Sequence, residues 1–290
     1  MYHKTVGYRT FSVINNVMLI VLSIVCILPL WNVLAISFSG KAPAEAGMVT
    51  LWPIDFNIEA YKATFNNGIF LDSLVLTVER TVLGVGISML LMIPAAFALS
   101  KEYDYFKGRR VIIWLFVITM LFPPGLIPGY ILVSKLHLMH TIWALVLPSA
   151  VSAFNLILML NFFKSIPKEI EESAFMDGAN HTQSLWHIYL PLSLPSLATT
   201  ILLALVGHWN SWFDGLLYMR SGEYPLATLL QTLITSRDLS QLVDSTTLKS
   251  FSPRTLSSAQ IFLGVLPVLL IYPFLQKFFI KGIVVGAVKE

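Results

Sequence analysis

Glu171-Glu172-Ser173-Ala174-Phe175-Met176-Asp177-Gly178, running on to Ile188-Tyr189-Leu190-Pro191, is a polar, acidic stretch between two apolar runs. Its surroundings decide how it must be read. The 290-residue chain is 56% hydrophobic and 12% charged, with a mean hydropathy of +0.74. Soluble domains carry about 25% charged residues, so half that proportion implies an integral membrane protein. A net charge of +3 is too small to argue for a nucleic-acid partner. The single cysteine, Cys26, lies in an apolar run, which leaves no disulfide framework and no cysteine-based metal site. A hydrophilic segment at a membrane face is a natural docking surface, and the quoted stretch is such a segment.

A spanning helix needs about 20 mostly apolar residues. Six segments qualify, at about 13–37, 74–99, 111–133, 142–163, 192–219 and 258–280. The first is too long for the apolar part of a signal peptide and reads as a retained transmembrane helix. The third is interrupted by Pro123-Pro124-Gly125 and Pro128-Gly129, read as a packing kink in preference to a gate. The expected architecture is therefore an all-α membrane protein with six transmembrane helices. Its organisation divides into residues 1–72 (tail, first helix and outer loop) and 73–290 (a core of five helices with a loop at 164–191).

Orientation follows from the Lys/Arg asymmetry. Lys4, Arg9, Lys101, Lys107, Arg109, Arg110, Lys164, Lys168, Lys277, Lys281 and Lys289 fall on one side, in the shorter segments. Lys41, Lys62, Lys135, Arg220, Arg237, Lys249 and Arg254 fall on the other. The denser side is the inside, so both termini and the acidic loop are expected in the cytoplasm. The outer segments 41–73 and 220–257 are long enough to meet a soluble partner, and equally read as solvated loops.

The acidic loop has the makings of a helix–turn–helix. Pro167 suits a first helical position, with Ser165 near the cap. Glu169, Glu171 and Glu172 occupy the first turns, where the helix dipole favours negative charge. Ser173 and Ala174 are small enough for another surface to approach the backbone. Gly178 suits a left-handed helix end. Asn180 or Thr182 can cap a second short helix whose apolar face is Leu185, Ile188 and Tyr189. On residue chemistry alone, a docking helix and a plain amphipathic connector both fit.

The spacing Glu172-Ser173-Ala174, three residues, Gly178, nine residues, Ile188, one residue, Leu190-Pro191 resembles the EAA loop of permease subunits in ATP-binding-cassette importers. Ser173 departs from the usual alanine and keeps its small size. Ile166-Pro167, Asp177-Gly178-Ala179 and the closing Lys281-Gly282…Gly286-Ala287-Val288-Lys289 resemble the MalG-like carbohydrate-uptake permeases. Tyr224-Pro225-Leu226 and Tyr272-Pro273-Phe274 resemble the subgroup linked to complex oligosaccharides. The resemblance implies a type I importer permease (MetI-like) fold in a bacterial cell membrane. It implies a second homologous permease subunit, a cytoplasmic ATPase dimer that holds ATP-Mg, an extracytoplasmic solute-binding protein and an oligosaccharide cargo. By the same carry-over Glu172, Ser173, Ala174 and Gly178 form the ATPase-coupling core, flanked by Glu171 and Asp177. No G-x-x-x-x-G-K-[ST] phosphate loop occurs, so this chain is expected to bind no nucleotide of its own.

Two further groups stand out. Glu79 and Arg80 are charges within the second helix, a substrate-path or subunit-interface pair or simply groups buried near the outer interface; neighbours on a helix face different ways, so each needs its own partner. His208, Trp209, Asn210, Trp212 and Asp214 form a polar-aromatic cluster toward the outer half of the fifth helix. Aromatic faces and amide or acid groups suit sugars, and an interfacial aromatic belt is the plainer reading. The histidines lack ligand spacing, and no H-E-x-x-H or Ser/His/Asp signature occurs. Beside the importer subunit stand two alternatives, a secondary transporter of a small polar solute built around Glu79 and Arg80, and a membrane enzyme using the His208–Asp214 cluster. The lack of an internal repeat weighs against the first.

Overall fold

The computed structural model describes residues 6–101, 106–236 and 252–287. Lys4, Arg237, Lys249 and Lys289, which enter the orientation argument, lie outside those residues, as does Val288 of the closing motif. The described residues form α1 (Val6–Ser37), α2 (Lys41–Glu45), α3 (Glu59–Asn66), α4 (Gly68–Ser100), α5 (Arg109–Leu121), α6 (Leu126–Lys135), α7 (Ile142–Val146) and α8 (Ala153–Lys164). There follow α9 (Lys168–Met176), α10 (His181–Ser184), α11 (Leu190–Leu192), α12 (Leu194–Asn210), α13 (Phe213–Tyr218), α14 (Leu226–Ser236) and α15 (Pro253–Ala287). A 3₁₀ turn, Leu147–Ser149, extends α7, and a π turn, Leu185–Tyr189, joins α10 to α11. Among the described residues there is no strand.

Three helices, α1, α4 and α15, are long and apolar enough to cross a membrane by themselves. Three bent pairs, each counted as one span, bring the number up to six. The pair α5 and α6 turns by 116°, α7 and α8 by 46°, and the segments before and after Ser193 by 82°. The first angle is far larger than the kink expected at Pro123-Pro124-Gly125. Neither proline offers an amide hydrogen, and the residue before a proline is driven to extended backbone. Phe122 accordingly leaves the helical region, at ψ 79°, and Gly125 takes φ +82°, a value that a side chain disfavours. At 13 residues, α5 is about 20 Å long, too short to cross alone.

By internal packing the chain divides into two units, one from Met1–Leu71 with Leu230–Leu266 and one from Asp72–Leu229 with Pro267–Glu290. In the first, the segment after α1 is not a free loop. Trp31 donates its indole N–H to the Leu51 carbonyl at 2.7 Å, and Asn32 Nδ2 donates to Thr50 at 2.6 Å. Phe38 stacks on Phe56 and Tyr61, and Arg254 donates to the Ala44 carbonyl at 3.2 Å. Asn67 Oδ1 accepts from the amide of Ile69 at 2.8 Å and so caps the start of α4.

The second unit has an apolar core at one end. Met92, Ala96, Phe97 and Leu99 of α4 pack with Leu156, Met159, Leu160 and Phe163 of α8, and with Ile166, Leu185, Tyr189 and Leu197. This core seats α9 and the π turn at the same end as Lys101. At the far end of α4, Thr77 Oγ accepts from the amide of Leu226 at 2.7 Å, and Thr228 donates to the Trp212 carbonyl at 2.7 Å. These bonds hold the chain beyond α13 against α4.

Candidate functional site

The acidic loop folds into two short helices joined by a tight turn. Pro167 caps α9, and Ser165 does not: it ends α8, its hydroxyl donating to the Phe162 carbonyl at 2.7 Å. Proline's fixed φ and the extended backbone it holds at ψ 134° start the helix without a side-chain cap. Gly178, at φ +85°, closes α9. Its amide bonds to Phe175 O at 3.0 Å and that of Ala179 to Ala174 O at 2.9 Å, the paired bonds of a Schellman turn. Asn180, and not Thr182, begins α10 through a capping box. Its Oδ1 accepts from the Gln183 amide at 2.8 Å, and Gln183 Oε1 accepts from the Asn180 amide at 2.8 Å. Every residue needed to fix this shape lies within the loop.

Glu172, Ser173, Asp177 and Gly178 are exposed, and Ala174 is half-buried. Two apolar side chains that the sequence reading passed over stand beside them, Met176 at 88% exposure and Trp186 at 62%. Glu171 points the other way. Its carboxylate pairs with Lys101 and accepts from the Tyr189 hydroxyl at 2.8 Å. The Lys101 ammonium lies over the rings of Phe97, 3.8 Å from the centroid, and Tyr189, 4.1 Å. Burial lowers its pKa from the usual lysine value, and Glu171 opposes that shift. A cavity of about 360 Å³ beside this group is lined by Lys101, Arg109, Lys164, Glu171 and Glu172, among others.

The second candidate group lies toward the other end of α4, with about 30 Å of helix between Arg80 and Lys101. The expected fifth helix, 192–219, is interrupted: α12 ends at Asn210, Ser211 is extended at ψ 115°, and α13 begins afresh. The polar-aromatic cluster therefore straddles a break. Arg80, 1% exposed, explains it. It pairs with Asp214 and donates to the Ser211 carbonyl at 2.9 Å, a carbonyl that the end of α12 leaves without a helical partner. Asp214 Oδ1 accepts from Ser211 Oγ and from the Gly215 amide, each at 2.9 Å. His208 is buried against Gly84, where a Cβ would come within 2.5 Å of the imidazole.

Arg80 and His208 line a cavity of about 360 Å³ with the polar residues Ser88, Ser149, Ser152 and Asn155 and the apolar Leu203 and Ala204. The serines and Asn155 had drawn no attention in the sequence, since single polar residues in apolar segments carry no motif. The structure thus brings Arg80, His208 and Asp214 together. Trp209 is buried, Asn210 and Trp212 are exposed, and Glu79 is exposed on another side of α4. Among the described residues no cluster of His, Cys, Asp or Glu suits a metal ion.

The chain thus combines up to six apolar spans with a polar helix–turn–helix and a cavity that holds a buried arginine. Residues 63–285 match the family described as binding-protein-dependent transport system inner membrane component. The protein LplC of Bacillus subtilis (strain 168) is 37% identical over 289 residues, covering 99% of this chain and 97% of LplC. The polygalacturonan/rhamnogalacturonan transport system permease protein YtcP of the same organism is 39% identical over 286 residues, covering 97% and 99%. The crystal structure of a bacterial ABC transporter involved in import of the acidic polysaccharide alginate contains a chain that superposes with a TM-score of 0.86 at 34% identity, covering 95% of this chain and 98% of that one. The chain belongs to the family of binding-protein-dependent transport system inner membrane components, and it is a multi-span permease subunit of the cell membrane.

Proposed function

We propose that this chain is one permease half of an ATP-driven, binding-protein-dependent importer whose cargo is an oligosaccharide released from an acidic polysaccharide. The observation that carries the reading is the exposed α9 surface, Glu172-Ser173-Ala174 through Asp177-Gly178, held by the Schellman turn and the capping box. A rigid, acidic, small-residue helix at a membrane face is suited to enter a cleft in a cytoplasmic ATPase dimer. That dimer holds and hydrolyses ATP-Mg; this chain supplies the lever. Both termini and α9 face the cytoplasm, a second homologous permease completes the membrane unit, and the binding protein meets the opposite face. The acidic cargo is supported by the names of two relatives, one tied to polygalacturonan and rhamnogalacturonan and one to alginate. The cavity of Arg80 and His208 is this chain's contribution to the cargo's path, with Asn210, Trp212 and Glu79 exposed at the same end of the second and fifth spans. Nothing observed favours the secondary-transporter or enzyme alternatives.

Glu172→Ala removes the acid without changing the fold, and Gly178→Asp puts a charged side chain on the docking face at a left-handed turn, φ +85°, that aspartate tolerates better than most residues. Each is expected to lower recovery of the ATPase with the affinity-purified permease, or to uncouple hydrolysis from uptake of galacturonate or alginate oligomers in proteoliposomes. Wild-type recovery and wild-type coupling in both variants would overturn the reading. Uptake of neutral oligosaccharides with no uptake of acidic ones would overturn the cargo class alone.

A further inference from the structure

Positive-inside reasoning gives Lys101 no task beyond orientation, yet among the described residues it is one of the most enclosed charges. The Lys101 side chain is 12% exposed and that of Glu171 13%. The two oxygens of Glu171 are both engaged, Oε1 by Lys101 at the end of α4 and Oε2 by the Tyr189 hydroxyl in the π turn. The tyrosine ring in turn stands edge-on to Phe97 of α4, centroids 4.9 Å apart, and to Phe163 of α8, 5.6 Å apart. The ammonium sits against two ring faces, an arrangement that holds a cation in place as well as attracting it. A single carboxylate on α9 therefore joins the end of the second span to the segment that leads into the fifth. Glu172, one residue on, is turned about 100° around the helix and is exposed. Of the three acids on the helix, Glu171 faces the spans while Glu169 and Glu172 are exposed.

We propose that Lys101, Glu171 and Tyr189 form a clamp that passes the movement of α9 into the second span as well as the fifth, so that Lys101 and Tyr189 are positioning residues for coupled transport. The inference rests on the docking function proposed for α9. Without the clamp, α9 is tied to the spans mainly through its own flanking backbone, and a displacement imposed on its outer face is absorbed by local tilting. With it, α9 cannot tilt without separating a charge pair that has little water to replace it. Movement at the face of Glu172 then travels along α4 toward Arg80.

The test uses the assembled importer in proteoliposomes, reading ATPase recovery, binding-protein-stimulated hydrolysis and cargo taken up per ATP. Lys101→Met and Tyr189→Phe are expected to recover the ATPase as wild type does, while uptake per ATP falls about five-fold or more. Lys101→Arg, which keeps the cation over the rings, is expected to restore most of the ratio. Because the residues act as one unit, Lys101→Met with Glu171→Gln should lose little more than Lys101→Met alone. A wild-type ratio in Lys101→Met, equal losses in Lys101→Arg and Lys101→Met, or losses that multiply in the double variant would overturn the clamp. A wild-type permease that recovers no ATPase would overturn the functional reading instead, so the two failures are distinct.

Discussion

Arg80 closes a helix that is not its own. The end of α12 leaves the Ser211 carbonyl facing inward, and the guanidinium of a helix distant in sequence satisfies it while pairing with Asp214. The charge also stands at the negative end of α12's dipole. Asp214→Asn leaves a cation at 1% exposure with no counter-charge, a change expected to cost about 3 kcal/mol and to lower the thermal midpoint in detergent. Arg80→Leu combined with Asp214→Leu is expected to be more stable than either single leucine variant, because the pair leaves together. Unfolding midpoints of the three variants check this. Both residues were legible in the sequence as charges out of place. Their pairing was not, because 134 positions separate them and the break at Ser211 that brings Asp214 within reach carries no strong breaker residue. Lys101 was hidden for another reason: at the end of an apolar run a lysine reads as an orienting charge, and only packing reveals the two rings beneath it.

At the level of elements, the acidic loop and the third crossing were legible to different degrees. Gly178 and Asn180 fell where local chemistry demanded, since a left-handed turn and a capping box are decided within a few residues. Ser165 misled because serine ends α8 through the Phe162 carbonyl as readily as it begins a helix. Pro123-Pro124-Gly125 announced a break, but the 116° between α5 and α6 depends on what each packs against. Gly125→Ala tests the turn alone, because a Cβ there meets nothing within 4 Å and the whole penalty is backbone strain at φ +82°. A loss of about 1–3 kcal/mol in stability is expected, with α-helical content by circular dichroism unchanged. A loss of helix would mean that the bend organises the neighbouring elements too.

For the whole molecule, the six crossings were legible because length and apolarity are the membrane's own criteria. The window of α1 that meets them is only 11% buried, so most of its surface meets lipid or another chain. Orientation follows from charge alone and has a direct check. With Cys26→Ser as background, cysteine at Trp52 is expected to react with a membrane-impermeant maleimide in intact cells, and cysteine at Met176 only in inverted vesicles; the reverse pattern would invert the topology. Both positions are open, at 72% and 88% exposure. The π turn between α10 and α11 adds a point about assembly. A π turn holds one residue more than an α turn, which advances the phase of everything downstream by about 100°. Leu185–Tyr189 thus acts as a shim whose thickness is one residue. The number of residues in this stretch sets the phase in which the chain reaches the 82° bend at Ser193, and a single deletion there would re-index that approach while leaving Glu172-Ser173-Ala174 and Gly178 in place.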